Sequence, residues 1–376
     1  MNKLNLFSLC IIFILGSCSL SPEKPEGYEK DLYSPTYSKN FKIQGNENNG
    51  NVLISVFNPW QGSQNESANL LIVRDSVDNP DTSIQILLDE AKRIICMSST
   101  HIAMLDALNA TDRIVGVSGK EYITNPKIIS SSRFIPDVGY EGNMDYEAMV
   151  AAKPDLVLLF SVNGASSLEP KLKELKIPFL YIGDYVEEDP LGKAEWIIPL
   201  AETIGKRDLG KSKFEEISER YTSLKDKVKD KNLKRPKVMV NAPFVDSWFM
   251  PSTESYIARM IDDAGGDYVY KVNSGNASLP IDMEEALKYV NDADVWINIG
   301  TVKSLEELKK SFPKFKSAEC VMLGNLYNNN LRSTQGGGND CYESGVVNPD
   351  IVLRDMIKIF HPELIEEDFT YYHKLQ

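Results

Sequence analysis

The chain has 376 residues, of which 42% are apolar, and it carries 41 Lys and Arg against 54 Asp and Glu, a net charge of −13 at neutral pH. That acid excess argues against nucleic acid as a partner, because affinity for a phosphate backbone comes mostly from Lys and Arg neutralising phosphates. The length exceeds what one hydrophobic core usually spans, while the apolar fraction is ordinary for a globular protein, so two domains are expected.

The first residues run Met1-Asn2-Lys3, then apolar from Leu4 to Leu15, then Gly16-Ser17-Cys18. A charged start, a short apolar run and a small-residue cleavage site predict a signal peptide over 1–17. The apolar run is shorter than the about 20 residues that a permanent spanning helix needs. Cys18 resembles the lipidated cysteine of bacterial lipoproteins, which implies a protein of the bacterial cell envelope, facing the periplasm or the outer surface. Several acyl chains on one residue hold a protein to a membrane without spanning it. Residues 18–40 are rich in Pro, Ser, Glu, Lys and Tyr without a period, and read as a flexible tether. Short β-like runs at Asn51–Val56 and Leu70–Val73, separated by turn residues such as Asn58-Pro59, predict a small β-appendage over 41–88.

From residue 89 short apolar runs alternate with amphipathic stretches, as βαβ units around a parallel sheet do. Strands are expected at Arg93–Met97, Arg113–Val117, Leu156–Phe160 and Phe179–Ile182, with helices starting near His101, Met144 and Leu168. These make one α/β lobe over 89–207. A charged helical stretch with Phe214, Ile217 and Tyr221 on one stripe predicts a stiff connector over 208–235, closed by Pro236. The βα texture then resumes over 236–376, with strands at Lys237–Asn241 and Val295–Ile299 and helices at Tyr256–Asp263 and Asn348–Phe360. The fold class is therefore α/β, with two Rossmann-like lobes, one long helix between them and the β-appendage in front.

Beyond the leader stand Cys18 and three further cysteines. Cys96 reads as a small buried hydrophobe, and whether Cys320 and Cys341 pair is left open by the sequence. No CxxC or metal-finger spacing occurs, so no protein-held metal is expected. No GxSxG, HExxH or dinucleotide glycine fingerprint occurs, so no catalytic residue is assigned and a binding role is preferred over a hydrolase. The Gly336-Gly337-Gly338 run lacks the Lys and Ser/Thr of a phosphate loop and reads as a mobile loop beside a cleft.

Asp145–Leu158 and Asp282–Ile297 share one pattern, an acid-started helix, a turn, an Asp and a buried strand, which suggests lobes of like construction. The segments Arg93–Thr100 and Ala107–Val117, Val138-Gly139, Glu147, Lys153–Leu158, Ala264-Gly265-Gly266 and His361-Pro362 together resemble periplasmic binding proteins for iron-siderophore complexes, haem and cobalamin, over roughly Asp89 to Pro362. The resemblance implies two lobes with ligand between them, and the ligand an iron or cobalt chelate, a ferric siderophore first, with no resident cofactor. It implies an ABC permease and its ATPase as partners of a monomer. Capture or storage without a transporter stands as the alternative.

Ligands of open α/β sheets gather beyond the carboxyl ends of the strands. That rule selects Ser99, Thr100, His101, Lys120, Tyr122, Ser161 and Asn163 in the first lobe, and Trp248, Phe249, Thr301, Tyr327 and Arg332 in the second. Trp248 and Phe249 either stack on a flat chelate or cap the core. Arg332 either pairs with a chelate oxygen or is solvated. His101 either ligates a metal centre or is bonded locally at a helix start. The resemblance also implies one permease-docking glutamate per lobe, Glu147 and Glu285.

Overall fold

The computed structural model describes residues 27–75, 84–229, 231, 233–275 and 277–376. The expected signal peptide, the lipidated Cys18 and the first part of the tether lie outside the described residues.

The appendage is a five-stranded sheet in the order β1 (Lys30–Tyr33), β2 (Phe41–Gly45), β3 (Val52–Phe57), β4 (Ser67–Val73) and β5 (Gln85–Leu88), antiparallel except for the β4–β5 pair. Its central strand, Val-Leu-Ile-Ser-Val-Phe, is buried along five of six positions, which β-branched residues tolerate well. One face shares a continuous core with the first lobe. The Phe41 ring lies 4.9 Å from Trp196. The tether expected over 18–40 is corrected here: by Lys30 the chain is already a strand, and Glu195 grips the segment after it. The buried Glu195 carboxylate accepts from the Tyr33 hydroxyl (2.6 Å) and from the backbone N–H groups of Thr36 (2.7 Å), Tyr37 (2.9 Å) and Ser38 (2.7 Å).

The first lobe is a four-stranded parallel sheet in the order β11-β10-β6-β7, from β6 (Ile94–Cys96), β7 (Ile114–Val117), β10 (Leu156–Leu159) and β11 (Phe179–Tyr181), with a small hairpin of β8 (Gly139–Tyr140) and β9 (Asn143–Met144). β6, β10 and β11 are buried at every position, as strands covered on both faces must be. Around them run α1 (Ser99–Ala107), α2 (Pro126–Ile129), α3 (Tyr146–Ala151), α4 (Glu169–Glu174), α5 (Pro190–Glu195) and α6 (Ile197–Thr203).

The connector, α7 (Arg207–Lys229), has 23 residues, a rod of about 35 Å at 1.5 Å per residue. Its buried stripe holds Gly210, Phe214, Ile217, Tyr221 and Val228. Gly210 permits the close approach to α6, since a Cβ there would stand 2.6 Å from that of Ala201. The other end docks on the second lobe through Tyr221 to Asp263 (2.9 Å), Arg220 to Asp350 (2.6 Å) and Lys227 to the Leu364 carbonyl (2.7 Å).

The second lobe carries β12 (Lys237–Val240), β13 (Trp248–Met250), β14 (Asp267–Tyr268), β15 (Leu279–Ile281), β16 (Val295–Ile297), β17 (Leu326–Asn328) and β18 (His373–Lys374). Its main sheet runs β14-β12-β16-β17-β18 with only β18 antiparallel, and β13 and β15 form a separate antiparallel pair. The helices are α8 (Tyr256–Asp263), α9 (Met283–Asp292), α10 (Leu305–Ser311), α11 (Glu319–Met322), α12 (Asp340–Glu343) and α13 (Pro349–Phe360). Cys96, Cys320 and Cys341 are all buried free thiols, so Cys320 and Cys341 do not pair.

Removing one acceptor that serves several buried donors leaves each donor unpaired. Glu195→Ala should therefore lower the free energy of unfolding by about 3 kcal/mol, read as a urea midpoint shift at constant slope. It should also open residues 27–40 to limited proteolysis.

Candidate functional site

A cavity of about 610 Å³ lies between the lobes, within the range of small-molecule sites. The first lobe contributes Thr100 of α1, Asp184 to Glu187 in the turn after β11, and Pro190 and Lys193 of α5. The second contributes Asn241 and Asn298 at the ends of β12 and β16, Ser255, Tyr256 and Met260 of α8, and Asn329, Tyr342, Val346 and Tyr372. Gln61 of the appendage completes the wall. Asn241 and Asn298 each follow a strand directly and take left-handed backbone (φ 66° and 59°), which asparagine tolerates better than most residues. They turn the chain out of the sheet at its carboxyl edge. The Asn298 side-chain oxygen accepts from the Tyr372 hydroxyl at 2.8 Å.

The charged groups of the wall are close together. Lys193 Nζ donates to the Asp184 carbonyl at 2.5 Å and sits 4.8 Å from the centre of the Tyr256 ring. Burial pushes the Asp184 carboxyl above its usual range and the Lys193 ammonium below its own, each opposed by the charge of the other. Glu187 accepts on one oxygen from the Ser38 hydroxyl (2.5 Å), Asn40 Nδ2 (3.1 Å) and Trp196 Nε1 (2.9 Å). Burial raises its pKa, against those hydrogen bonds. One carboxylate thus belongs both to the cavity wall and to the appendage's anchorage.

Beside the cavity the lobes are clasped. Glu343 of α12 accepts from the backbone N–H groups of Thr124 (2.7 Å) and Asn125 (2.9 Å), and the Thr124 hydroxyl donates to Asp340 at 3.1 Å. Gly336 and Gly338 lie so near the carbonyls of Glu121 and Tyr122 that a Cβ would come within 2.3 Å of either oxygen. The Gly336-Gly337-Gly338 run, expected as a mobile loop, instead lies against the first lobe at the seam, where a side chain does not fit at Gly336 or Gly338.

Of the residues expected to touch ligand, Thr100 lines the cavity, and Ser99 beside it opens α1 half-buried. Lys120 is exposed with Nζ on the Ile135 carbonyl, and Tyr122 belongs to the seam. Ser161 donates to the Gly164 carbonyl, and Asn163 and Thr301 are exposed outside the lining. Trp248 is corrected to a core residue: it is fully buried, donates Nε1 to the Val240 carbonyl at 2.9 Å, and packs on Trp296 (5.3 Å) and Phe315 (5.5 Å). Phe249 faces outward, 45% exposed. Tyr327 packs on Phe369 at 6.0 Å. Arg332, offered as a partner for ligand oxygens, is paired with Asp340 at 3.0 Å and lies over Tyr371.

His101 is also corrected. It is fully buried, neither ring nitrogen has a hydrogen-bond partner, and desolvation lowers its pKa to about 3, so it is held neutral away from the cavity. Among the residues missed were those after β11, Ser255, Tyr256 and Met260 at α8, and the two strand-end asparagines, for which an Asn immediately following an apolar strand run was the available signal.

The two expected docking glutamates differ in setting. Glu147 is exposed in the first turn of α3, capped by Asp145, which accepts from Ala148 N–H at 2.8 Å. In α9 the cap is Asp282, so Glu284, also exposed, stands in register with Glu147. Glu285 is half-buried and accepts from the Tyr289 hydroxyl at 3.3 Å.

A histidine that protonates near 6.5 when unfolded but near 3 when folded makes the unfolded state hold the extra proton between those values. Its contribution to stability is complete above pH 6.5 and is lost as pH falls through that window. His101→Met should therefore flatten the acid limb of the stability–pH curve between pH 6 and 3.5 by up to about 1.4 kcal/mol per unit, measured by urea unfolding.

A family model for periplasmic binding proteins matches residues 94–327. An uncharacterized lipoprotein of Methanocaldococcus jannaschii is 26% identical over 362 residues, covering 89% of this chain and 84% of the relative. Among solved structures, a periplasmic haem-binding protein from Pseudomonas aeruginosa superposes with a TM-score of 0.60 at 14% identity, covering 76% of this chain and 98% of its own. A protein of an ABC-type Fe3+-hydroxamate transport system from Saccharomonospora viridis gives 0.54 at 18%, covering 72% and 94%. At such identities the two structures bear on the fold alone, and they agree with the two lobes and the parallel sheets described above. With most of both lobes inside the matched segment, the chain belongs to the periplasmic binding protein family.

Proposed function

We propose that this protein captures a metal chelate, a ferric siderophore in first place, in the interlobe cavity and delivers it to an ABC permease from a lipid anchor at Cys18. The observation that carries the reading is the cavity itself: both lobes and the appendage line it, at the carboxyl edges of the parallel sheets where open α/β folds hold ligands. A Staphylococcus aureus protein named for high-affinity haem uptake, 25% identical over 219 residues, supports the class of guest. A haem or a corrinoid is of similar bulk and remains within the same reading. In this reading the metal is part of the cargo, and the wall supplies shape, amides and aromatic faces rather than coordinating ligands.

For delivery, Glu147 and the glutamates opening α9 are suited to meeting basic residues of a permease, since they project from helix starts, one on each lobe. Glu284, exposed and in register with Glu147, shares that role with Glu285.

Protein purified from its own host should carry a chelate identifiable by native mass spectrometry and by its visible absorption band. A chain that emerges free of any chelate under iron-limited growth would contradict the capture reading. Charge reversal of Glu147 together with Glu284 and Glu285 should reduce uptake to background while changing chelate affinity less than twofold. Loss of binding in solution would show that these residues serve the cavity and not the docking.

A further inference from the structure

Taking the interlobe cavity as the capture site, we propose that its guest carries no net negative charge, so that neutral or cationic chelates, such as ferric trihydroxamates or corrinoids, are accepted and polyanionic ones are rejected.

Among the described residues the cavity wall holds three groups of ordinary charge, Asp184, Glu187 and Lys193. The single cation is already committed. Lys193 Nζ donates to the Asp184 carbonyl at 2.5 Å, rests on the Tyr256 ring and faces the Asp184 carboxyl. Glu187 accepts three donors on one oxygen, from Ser38, Asn40 and Trp196, which favour its anion against burial. Whichever group of the Asp184–Lys193 pair holds the shared proton the pair is neutral, and Glu187 adds at most one negative charge, so the three groups sum to zero or to one negative charge and never to a positive one.

Among the described residues no other Lys or Arg lines the cavity. Arg332 is tied to Asp340 at 3.0 Å, Arg259 to Glu188 at 3.3 Å and Asp189 at 4.0 Å, and Lys120 to the Ile135 carbonyl, and none of the three lines the cavity. An anionic chelate entering here would lose hydration without gaining a counter-charge. One unit charge about 6 Å from an uncompensated carboxylate, at an effective dielectric of about 20, changes affinity by roughly a hundredfold. The overall charge of −13 adds a long-range field of the same sign. The rest of the polar wall is what a neutral guest needs: the amides of Asn241, Asn298 and Asn329 offer donors and acceptors without charge, and the half-exposed rings of Tyr185 and Tyr342 offer flat apolar faces.

The test titrates the full chain, in detergent at pH 7.5 and 0.1 M salt, with four probes: a cationic ferric trihydroxamate, a neutral corrinoid, a trianionic ferric tris-catecholate, and haem with its two ionised propionates. Binding is read by quenching of tryptophan fluorescence. At least one of the first two should bind in the micromolar range or tighter, and both anions at least a hundredfold more weakly. An anion bound as tightly as the better uncharged or cationic probe would overturn the charge selection and leave capture standing. Silence from all four probes would remove the capture reading and this proposal with it.

Glu187→Gln should raise tris-catecholate affinity at least tenfold and lower that of the cationic trihydroxamate. Asp184→Asn, read in the same titration, covers the case in which Glu187→Gln loosens the appendage. Unchanged anion affinity in both folded variants would overturn charge as the cause of rejection.

Discussion

The spacing of the two lobes is the constraint on which the cavity depends, and two independent ties fix it. On one side α7 is bonded at its start to α6 and near its end to α8 and α13, so hinge motion must bend a packed rod. On the other, the Glu343 carboxylate takes two backbone N–H groups of the first lobe, with Gly336 and Gly338 pressed against first-lobe carbonyls. A gap held from both sides exists before ligand arrives. A guest entering such a gap would lose little of its binding free energy to ordering the protein.

The appendage acts through the same wall. Its strands share a core with the first lobe, its first segment is gripped by Glu195, and Ser38 and Asn40 hold the carboxylate of Glu187, a cavity residue. Gln61 reaches the cavity directly, with its backbone N–H on the Val162 carbonyl at 3.0 Å. What reads as an addition to the N-terminus therefore shapes the cavity wall and holds one of its carboxylates in place. A membrane anchor upstream of β1 would pull on the first lobe through these same bonds.

Much of the fold was legible because its elements are locally determined. Parallel strands buried on both faces announce themselves as short apolar runs, and the runs at Ile94–Cys96, Leu156–Leu159, Lys237–Val240 and Val295–Ile297 fall inside the expected segments. The helix at Tyr256–Asp263 has the expected bounds, with Gly265 following it. The site was less legible, because lining a cavity is a long-range property. Trp248 and His101 look like ligand contacts by type, yet in three dimensions both are core residues. Arg332 looks free until Asp340 is folded back beside it. The glycine run suggested mobility, whereas the approach of another backbone explains it. Conversely, Asp184, Glu187 and Lys193 sit beyond the end of a strand whose loop the carboxyl-edge rule covers but whose residue types suggested nothing.

Hydrogen–deuterium exchange of the full chain with and without a bound ferric chelate tests the central claim most directly. Capture between the lobes predicts that slowed exchange appears together at 184–193 in the first lobe and at 255–260 and 341–346 in the second. Slowing confined to one lobe, or to the outer faces of α3 and α9, would contradict it.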